Sequence, residues 1–448
     1  MRALMTGLLT GFFLLVSPIS GRAGVFDPQS FTLANGLQVV VIENLQMPAV
    51  HHMVWYKVGA ADEQAGQSGL AHLFEHLMFK GTPSVPPGQF SRIVARHGGR
   101  DNAFTSWDYT AYFQTVAPEQ LELMMKMEAD RLANLKLDEQ IVLTERDVVM
   151  EERRSRVDND PAAILSERLM AALFVTHPYG RPVIGWEHEI SAMSAKEAMA
   201  FHALWYAPNN AILVVAGGVK ADEVRRLAEI HYGPIPAKNL PERVRPPELT
   251  QVAARRVELK DARVRQPSWK RKYIAPSLRA GESKHAYALE TLAQILGGGV
   301  TSRLYRRLVV EQELAAGVNV SYQGESYDLG IFVVAASPRP GKSMAELEAA
   351  IESEIANLLK NGITEAELAR AKRRIKAEVA YARDSLQAGA YALGGALASG
   401  LSIADVEESP ERMNAVTIKE VNEAAKAVLK LENSATGLLL PAAKEAKP

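Results

Sequence analysis

The segment Pro234-Ile235-Pro236-Ala237-Lys238-Asn239-Leu240-Pro241-Glu242-Arg243-Val244-Arg245-Pro246-Pro247 decides how this chain divides. Five prolines in a charged, glycine-poor run suit neither a helix interior nor a central strand, so the segment reads as an extended linker. The sequence on one side echoes the other. Ser194-Ala195-Lys196-Glu197 precedes a helical stretch, then Asn210 and the apolar run Ile212 to Ala216; Thr417-Ile418-Lys419-Glu420 precedes another, then Asn433 and Leu438 to Leu440, at a constant offset. Gly69-Leu70-Ala71-His72-Leu73-Phe74 is likewise echoed by Glu290-Thr291 followed by Leu292 to Leu296, with the apolar positions kept and the polar ones lost. An internal repeat accounts for both echoes. The division expected is a leader at 1–23, an N-terminal domain at 24–233, a linker at 234–250 and a homologous C-terminal domain at 251–448.

Composition narrows the function. With 448 residues, 47% hydrophobic and 23% charged, the chain is long enough for two sizeable cores and too balanced for a disordered or polytopic membrane protein. Lys+Arg 51 against Asp+Glu 52 leaves no basic excess to drive nucleic-acid binding. Zero cysteines exclude disulfides, thiolate catalysis and Cys-type zinc sites, so any metal must be held by His, Asp or Glu. Residues Met1 to Ala23 carry Arg2, the apolar run Leu8 to Val16, and small residues at Gly21 and Ala23, the layout of a secretory signal peptide. That run is too short to span a bilayer, and a cysteine-free exported chain fits a bacterial periplasm.

Leu37 to Ile42 and Met53 to Val58 read as strands, with a turn signal at Ala34-Asn35-Gly36. Gly69 to Phe79, Leu121 to Leu135 and Asp138 to Arg154 carry helical spacing, and Ala211 to Ala216 returns to a buried strand before Gly217-Gly218. Strands and helices mix without regular alternation. The fold class expected is α+β: two homologous α/β-roll domains, each an antiparallel-rich sheet with helices on one face.

The sharpest chemical signal is His72-Leu73-Phe74-Glu75-His76. On a helix the histidines lie about 40° apart around the axis and Glu75 about 60° to the other side of His72, so all three share a face. Two imidazoles so spaced can chelate one zinc, and the carboxylate between them can take a proton from water. A third ligand must come from another element. Glu145 and Glu152 are about 20° from alignment on one helix, with Glu151 about 100° away. A solvated charge face with i,i+4 pairing would show the same pattern.

Gly69 to Thr82 (GLAHLFEHLMFKGT), Asn102 to Tyr112 (NAFTSWDYTAY), Glu145 to Glu152 (ERDVVMEE) and His177 to Gly180 (HPYG) resemble the pitrilysin, insulin-degrading enzyme and mitochondrial processing peptidase family of inverted-motif zinc metallopeptidases. The resemblance covers nearly the whole mature chain. It implies one zinc per chain held by His72, His76 and Glu152, Glu75 as general base, and Glu145 as a supporting carboxylate. It further implies that Asn102 and Ala103 lie on an edge strand that pairs with extended peptide substrate, and that Phe79 lines the pocket beyond the scissile bond. For these three, core packing or turn capping is an equally good reading of the residues alone.

The second half departs from the active copy. Gln294, Gly297 and Gly298 fall where the metal motif would repeat, and Gly297-Gly298-Gly299 reads as a structural turn. Family members that act alone carry an Arg and a Tyr seven residues later; here those positions are Val309 and Ala316. The expectation is therefore a catalytic subunit that pairs with a related chain supplying the Arg/Tyr pair, or with its own copy. Arg306 or Arg307 with Tyr322 is the local substitute. A non-catalytic scaffold and a zinc-dependent peptide-capture protein are the competing functions.

Overall fold

A computed structural model describes residues 24–442, so the leader expected at 1–23 lies outside the described residues. Among the described residues no helix is long and apolar enough to cross a membrane. The first half comprises β1 (Gln29–Thr32), β2 (Gln38–Glu43), β3 (Val50–Tyr56), α1 (Leu70–Leu77), α2 (Gln89–Arg96), β4 (Arg100–Thr105), β5 (Thr110–Val116), α3 (Leu121–Asn134), α4 (Glu139–Arg153), α5 (Pro161–Leu173), α6 (Glu187–Ala192), α7 (Ala195–Trp205), β6 (Ala211–Gly217) and α8 (Ala221–His231). Beyond the linker come β7 (Arg255–Asp261), β8 (Ser268–Ala275), α9 (Ala286–Gly297), β9 (Ala315–Gln323), β10 (Gly330–Pro338), α10 (Met344–Asn361), α11 (Glu365–Arg383), α12 (Ala388–Ala398), α13 (Ile403–Glu407), α14 (Ser409–Ala415), α15 (Ile418–Val428) and β11 (Ser434–Pro441).

The strands form a six-stranded sheet in the order β1-β2-β6-β3-β5-β4 and a five-stranded sheet in the order β7-β11-β8-β10-β9. Each is antiparallel except for one parallel pair, β2 with β6 and β7 with β11. The expected α+β class, two antiparallel-rich sheets with helices, is the one observed. The echoed Ser194 and Thr417 both cap helices: each accepts from the backbone three residues on, while Glu197 and Glu420 reach back to close the box.

Helices on one face account for only half of the packing. Every residue of β3 is buried, which requires cover on both faces of its sheet. Val50, Val54 and Tyr56 point into a core with Leu73, Phe74 and Leu77 of α1. Met53 and Trp55 point the other way, against Ala390, Leu393 and Leu397 of α12, a helix from the second half. The exchange is reciprocal. From the first half, α5 sends Leu169 and Leu173 against Ala435 of β11, and Leu165 against Leu439. Each half thus covers the outer face of the other's sheet.

The strand anticipated at Met53 to Val58 begins three residues earlier, at Val50. His51 and His52 look polar in sequence yet are fully buried. Their Nδ1 atoms meet Thr115 Oγ1 and Gln114 Oε1 on β5, each at 2.8 Å, and this offsets part of the desolvation cost that polarity implied.

Candidate metal centre

The helix bearing the two histidines starts at a position that requires glycine. Gly69 has φ +92°, and a Cβ there would sit 2.5 Å from the carbonyl oxygen of Ile184. The buried Glu63 carboxylate accepts hydrogen bonds from the Gly69 and Ala71 amides at 3.1 and 2.7 Å, satisfying donors that the first helical turn leaves open. Leu70, Leu73, Phe74 and Leu77 hold one face of α1 in the core. The opposite face carries His72, Glu75 and His76 towards α4.

Glu152 of α4 meets that face. Its Oε2 lies 3.1 Å from His76 Nε2 and 3.6 Å from His72 Nε2, yet accepts a hydrogen bond from neither. One ligand atom from each of the three residues lies within 4.8 Å of the others. Tetrahedral zinc with bonds of about 2.1 Å separates its ligand atoms by about 3.4 Å. Three lone pairs at such separations, converging without bonding one another, fit a divalent cation of that size.

The surrounding groups act in opposite directions on the two imidazoles. Burial, followed by the charges of His76 and Arg156, lowers the His72 imidazole to about 3 and keeps it neutral. Burial also pulls His76 down, but its bond to Glu145 and the charges of Glu152 and Glu75 outweigh that and leave it raised. His76 Nδ1 lies 3.0 Å from Glu145 Oε1, and Lys80 pairs with the other carboxylate oxygen. Burial works against ionisation of Glu145, yet the bonds from His76 and Lys80 hold it below its ordinary value. An ionised Glu145 can only accept, so Nδ1 carries a proton, and in the neutral ring Nε2 holds the lone pair that faces the cluster.

Glu75 stands beside the three ligand atoms. Burial raises its carboxyl, opposed by a 2.6 Å hydrogen bond from Thr105 Oγ1 to Oε2. Thr105 ends β4, an edge strand of the first sheet, so that bond ties α1 to the sheet's open edge. Asn102 is exposed on β4, its Oδ1 accepting from the Ala103 amide at 2.9 Å, and Ala103 is half-buried against the core. Phe79, just past α1, packs among Phe90 and Tyr112 with the buried Arg131 guanidinium 4.9 Å from its ring.

The remaining candidates stand apart. Glu151 is exposed and pairs with Arg154. Val309 is buried in the second half's core and Ala316 is exposed on β9. Arg306 and Arg307 both pair with Glu311, and the Tyr322 hydroxyl donates to the Pro276 carbonyl at 2.5 Å. The local substitute for an Arg/Tyr pair is thus engaged within the second half.

Sequence reading passed over Thr105, Lys80, Glu63 and Arg156. Arg156 had a usable signal, since it lies four residues beyond Glu152 on a helical run, whereas Lys80 meets Glu145 of another helix. Glu63 and Thr105 had none, because their partners are set by tertiary packing.

Residues 38–187 match the model described as insulinase (peptidase family M16), and residues 192–375 match the peptidase M16 inactive domain. The chain is 36% identical over 357 residues to the zinc protease PqqE of Helicobacter pylori, covering 78% of this chain and 79% of that one. It is 32% identical over 425 residues to an uncharacterized zinc protease of Mycobacterium leprae, covering 93% of each. Among solved structures, a protease from Helicobacter pylori superposes with a TM-score of 0.86 at 31% identity, over 93% of this chain and 99% of that one. The periplasmic protease PqqL from Escherichia coli gives 0.80 at 19% identity, over 94% of this chain and 48% of that one, a likeness of fold.

Proposed function

The chain belongs to the insulinase family, peptidase family M16, and from that premise we propose that it is a zinc-dependent endopeptidase hydrolysing short or unfolded peptides. The observation that supports the reading is the convergence of His72 Nε2, His76 Nε2 and Glu152 Oε2, with the Glu75 carboxyl close enough to feel the charges of His76 and Glu152. In this reading residues 24–233 form the catalytic domain, 234–250 the linker and 251–448 its inactive homologue.

Bound zinc supplies Lewis acidity towards the scissile carbonyl and a neighbouring water. The chain's own groups do the rest. Thr105 occupies Glu75 Oε2, and among the described residues Oε1 has no hydrogen-bond partner, so Oε1 takes the water's proton and passes it to the leaving amine. Glu145 and Lys80 hold the His76 ring in the tautomer that presents Nε2. Substrate in extended form adds to the free edge of β4 at Asn102 and Ala103, so main-chain hydrogen bonds supply much of the grip, and Phe79 lines the adjoining pocket.

Val309 and Ala316 leave the chain without an Arg/Tyr pair of its own, which supports a second, related subunit or a second copy closing a chamber over the metal centre. The leader-like amino terminus supports a periplasmic enzyme. The test is digestion of a mixed peptide library by the zinc-loaded chain, alone and with a relative carrying the Arg/Tyr pair. New amino termini that vanish in Glu75→Gln support the reading. Zinc uptake without cleavage in either arrangement rejects it in favour of peptide capture, and absence of stoichiometric zinc rejects it in favour of a scaffold.

A further inference from the structure

Past Glu152 the helix α4 changes character. Residues Arg154–Asp158 form a π-helical turn, a wider winding that recurs at functional sites. Arg156 on this turn reaches back one turn, and its Nη1 lies 2.8 Å from Glu152 Oε1. That is the carboxylate oxygen facing away from the histidines, since Oε2 is the one that converges with their Nε2 atoms. The two oxygens of one carboxylate thus have separate partners, a guanidinium on one and the histidine pair on the other.

The turn that carries Arg156 is fixed, although its side chain is 73% exposed. The neighbouring Arg153 is buried. It holds Glu167 of α5 through Nη1 and Nη2 at 2.7 and 3.0 Å, and donates to the Gly185 carbonyl at 2.7 Å. Gly185 in turn packs against the Ser68–Gly69 backbone at the start of α1. The base of Arg156 is therefore built into the same framework as the histidine helix.

The geometry points to Arg156 as a positioning residue for the metal centre, holding Glu152 through Oε1 so that Oε2 alone is offered to the ion. Without that hold, the carboxylate can rotate about its terminal torsion and present either oxygen, or neither, to the histidines. Partners that orient ligating groups typically contribute about 10–100-fold to metal affinity. The inference rests on the metal centre of the preceding reading and goes beyond it by assigning a residue outside the ligand set.

The experiment measures zinc affinity of the purified chain by competition with a chromophoric chelator, for wild type, Arg156→Met and Arg156→Lys, with thermal unfolding of the zinc-free proteins alongside. Arg156→Met should bind zinc about 10–100-fold more weakly, Arg156→Lys should recover part of that loss, and the zinc-free unfolding temperatures should agree. An Arg156→Met chain that binds zinc within twofold of wild type overturns the inference while leaving the peptidase reading intact. Zinc affinity lost only together with zinc-free stability overturns it as well, because the role would then be general folding. A wild-type chain that binds zinc and cleaves no peptide rejects the peptidase reading alone, and one that binds no zinc rejects both.

Discussion

Arg245 of the linker lies 2.9 Å from Asp328 of the second half, and the same guanidinium reaches Asp62 and Asp108 of the first at 2.8 and 2.6 Å. Arg243 joins it on Asp62 at 2.8 Å, and the Tyr179 hydroxyl donates to Asp108. Asp62 precedes Glu63, which caps the helix carrying His72 and His76, and Asp108 sits in the turn between β4 and β5. The linker is thus a buried tie between the halves as well as a connection. Removing one partner from a buried, paired cluster leaves charges uncompensated and typically costs about 3–5 kcal/mol. Arg245→Met should lower the urea stability of the chain by that amount, and a loss under about 1 kcal/mol would mean the tie is idle.

The exchanged helices make a prediction against propensity. Gly394 and Gly395 are neighbours in α12, where alanine would ordinarily gain up to about 1 kcal/mol. A Cβ on Gly394 would meet Trp55 Nε1 at 2.1 Å, whereas one on Gly395 meets the Trp55 ring only at 3.8 Å. Trp55 is buried and cannot retreat without disturbing the sheet. Gly394→Ala should destabilise by about 1–3 kcal/mol and Gly395→Ala should be neutral or stabilising. Equal effects in thermal melts would count against the packing of α12 on β3.

Much of this arrangement was legible locally. Helical spacing located α1, α3 and α4 to within a residue or two at most ends, because a helix face declares itself over a few turns. The edge strand followed only from the family resemblance, whereas the repeated Ser-x-x-Glu and Thr-x-x-Glu stretches ahead of their helices were equally visible. The reciprocal covering was not, since a sheet's second face is hidden by residues far away in sequence. One trace of it existed: Ala388–Ala398 is apolar all round, and such a helix must be buried on more than one side. In the site, the spacing of His72, Glu75 and His76 marked the first element, while Thr105 and Glu63 depended on contacts that no periodicity encodes.

The acidic residues of α4 separate by role. Glu152→Gln should weaken zinc binding strongly, and Glu145→Gln should weaken it by about 10–100-fold through loss of the His76 anchor. Glu151→Gln should leave it unchanged, because Glu151 is exposed and, among the described residues, pairs only with Arg154. Equilibrium dialysis against zinc ranks the three, and a Glu151 variant weaker than the Glu145 variant would move the metal centre.

Glu75→Gln should hold zinc as tightly as wild type and lose about 10²–10⁴ in turnover, since a general base is not a ligand. Thr105→Val keeps the carboxylate and frees its Oε2, so its loss should be smaller and confined to kcat. If peptide turnover by Glu75→Gln stays within tenfold of wild type, the proton must leave by another group.

Glu290 gives a pH dependence remote from the His72, His76 and Glu152 cluster. It lines a cavity of about 540 Å³ between the halves, where Tyr109 and Tyr179 of the first face Tyr287, Tyr322 and Glu325 of the second, with Glu378 alongside. Burial, then the negative charges of Glu325 and Glu378, raises its carboxyl from 4.5 to about 7. Between those values the folded chain keeps a proton that the unfolded chain has released, so stability falls as pH rises and the loss is complete above about pH 7. The full loss is about 3 kcal/mol. Glu290→Gln cannot ionise, so its stability relative to wild type should be smallest near pH 4.5 and should rise to that extra amount by pH 8. Measuring the variant against wild type at each pH cancels the titration of the histidines. A difference that stays flat from pH 4.5 to 8 would show that the cavity leaves this carboxylate ordinarily solvated.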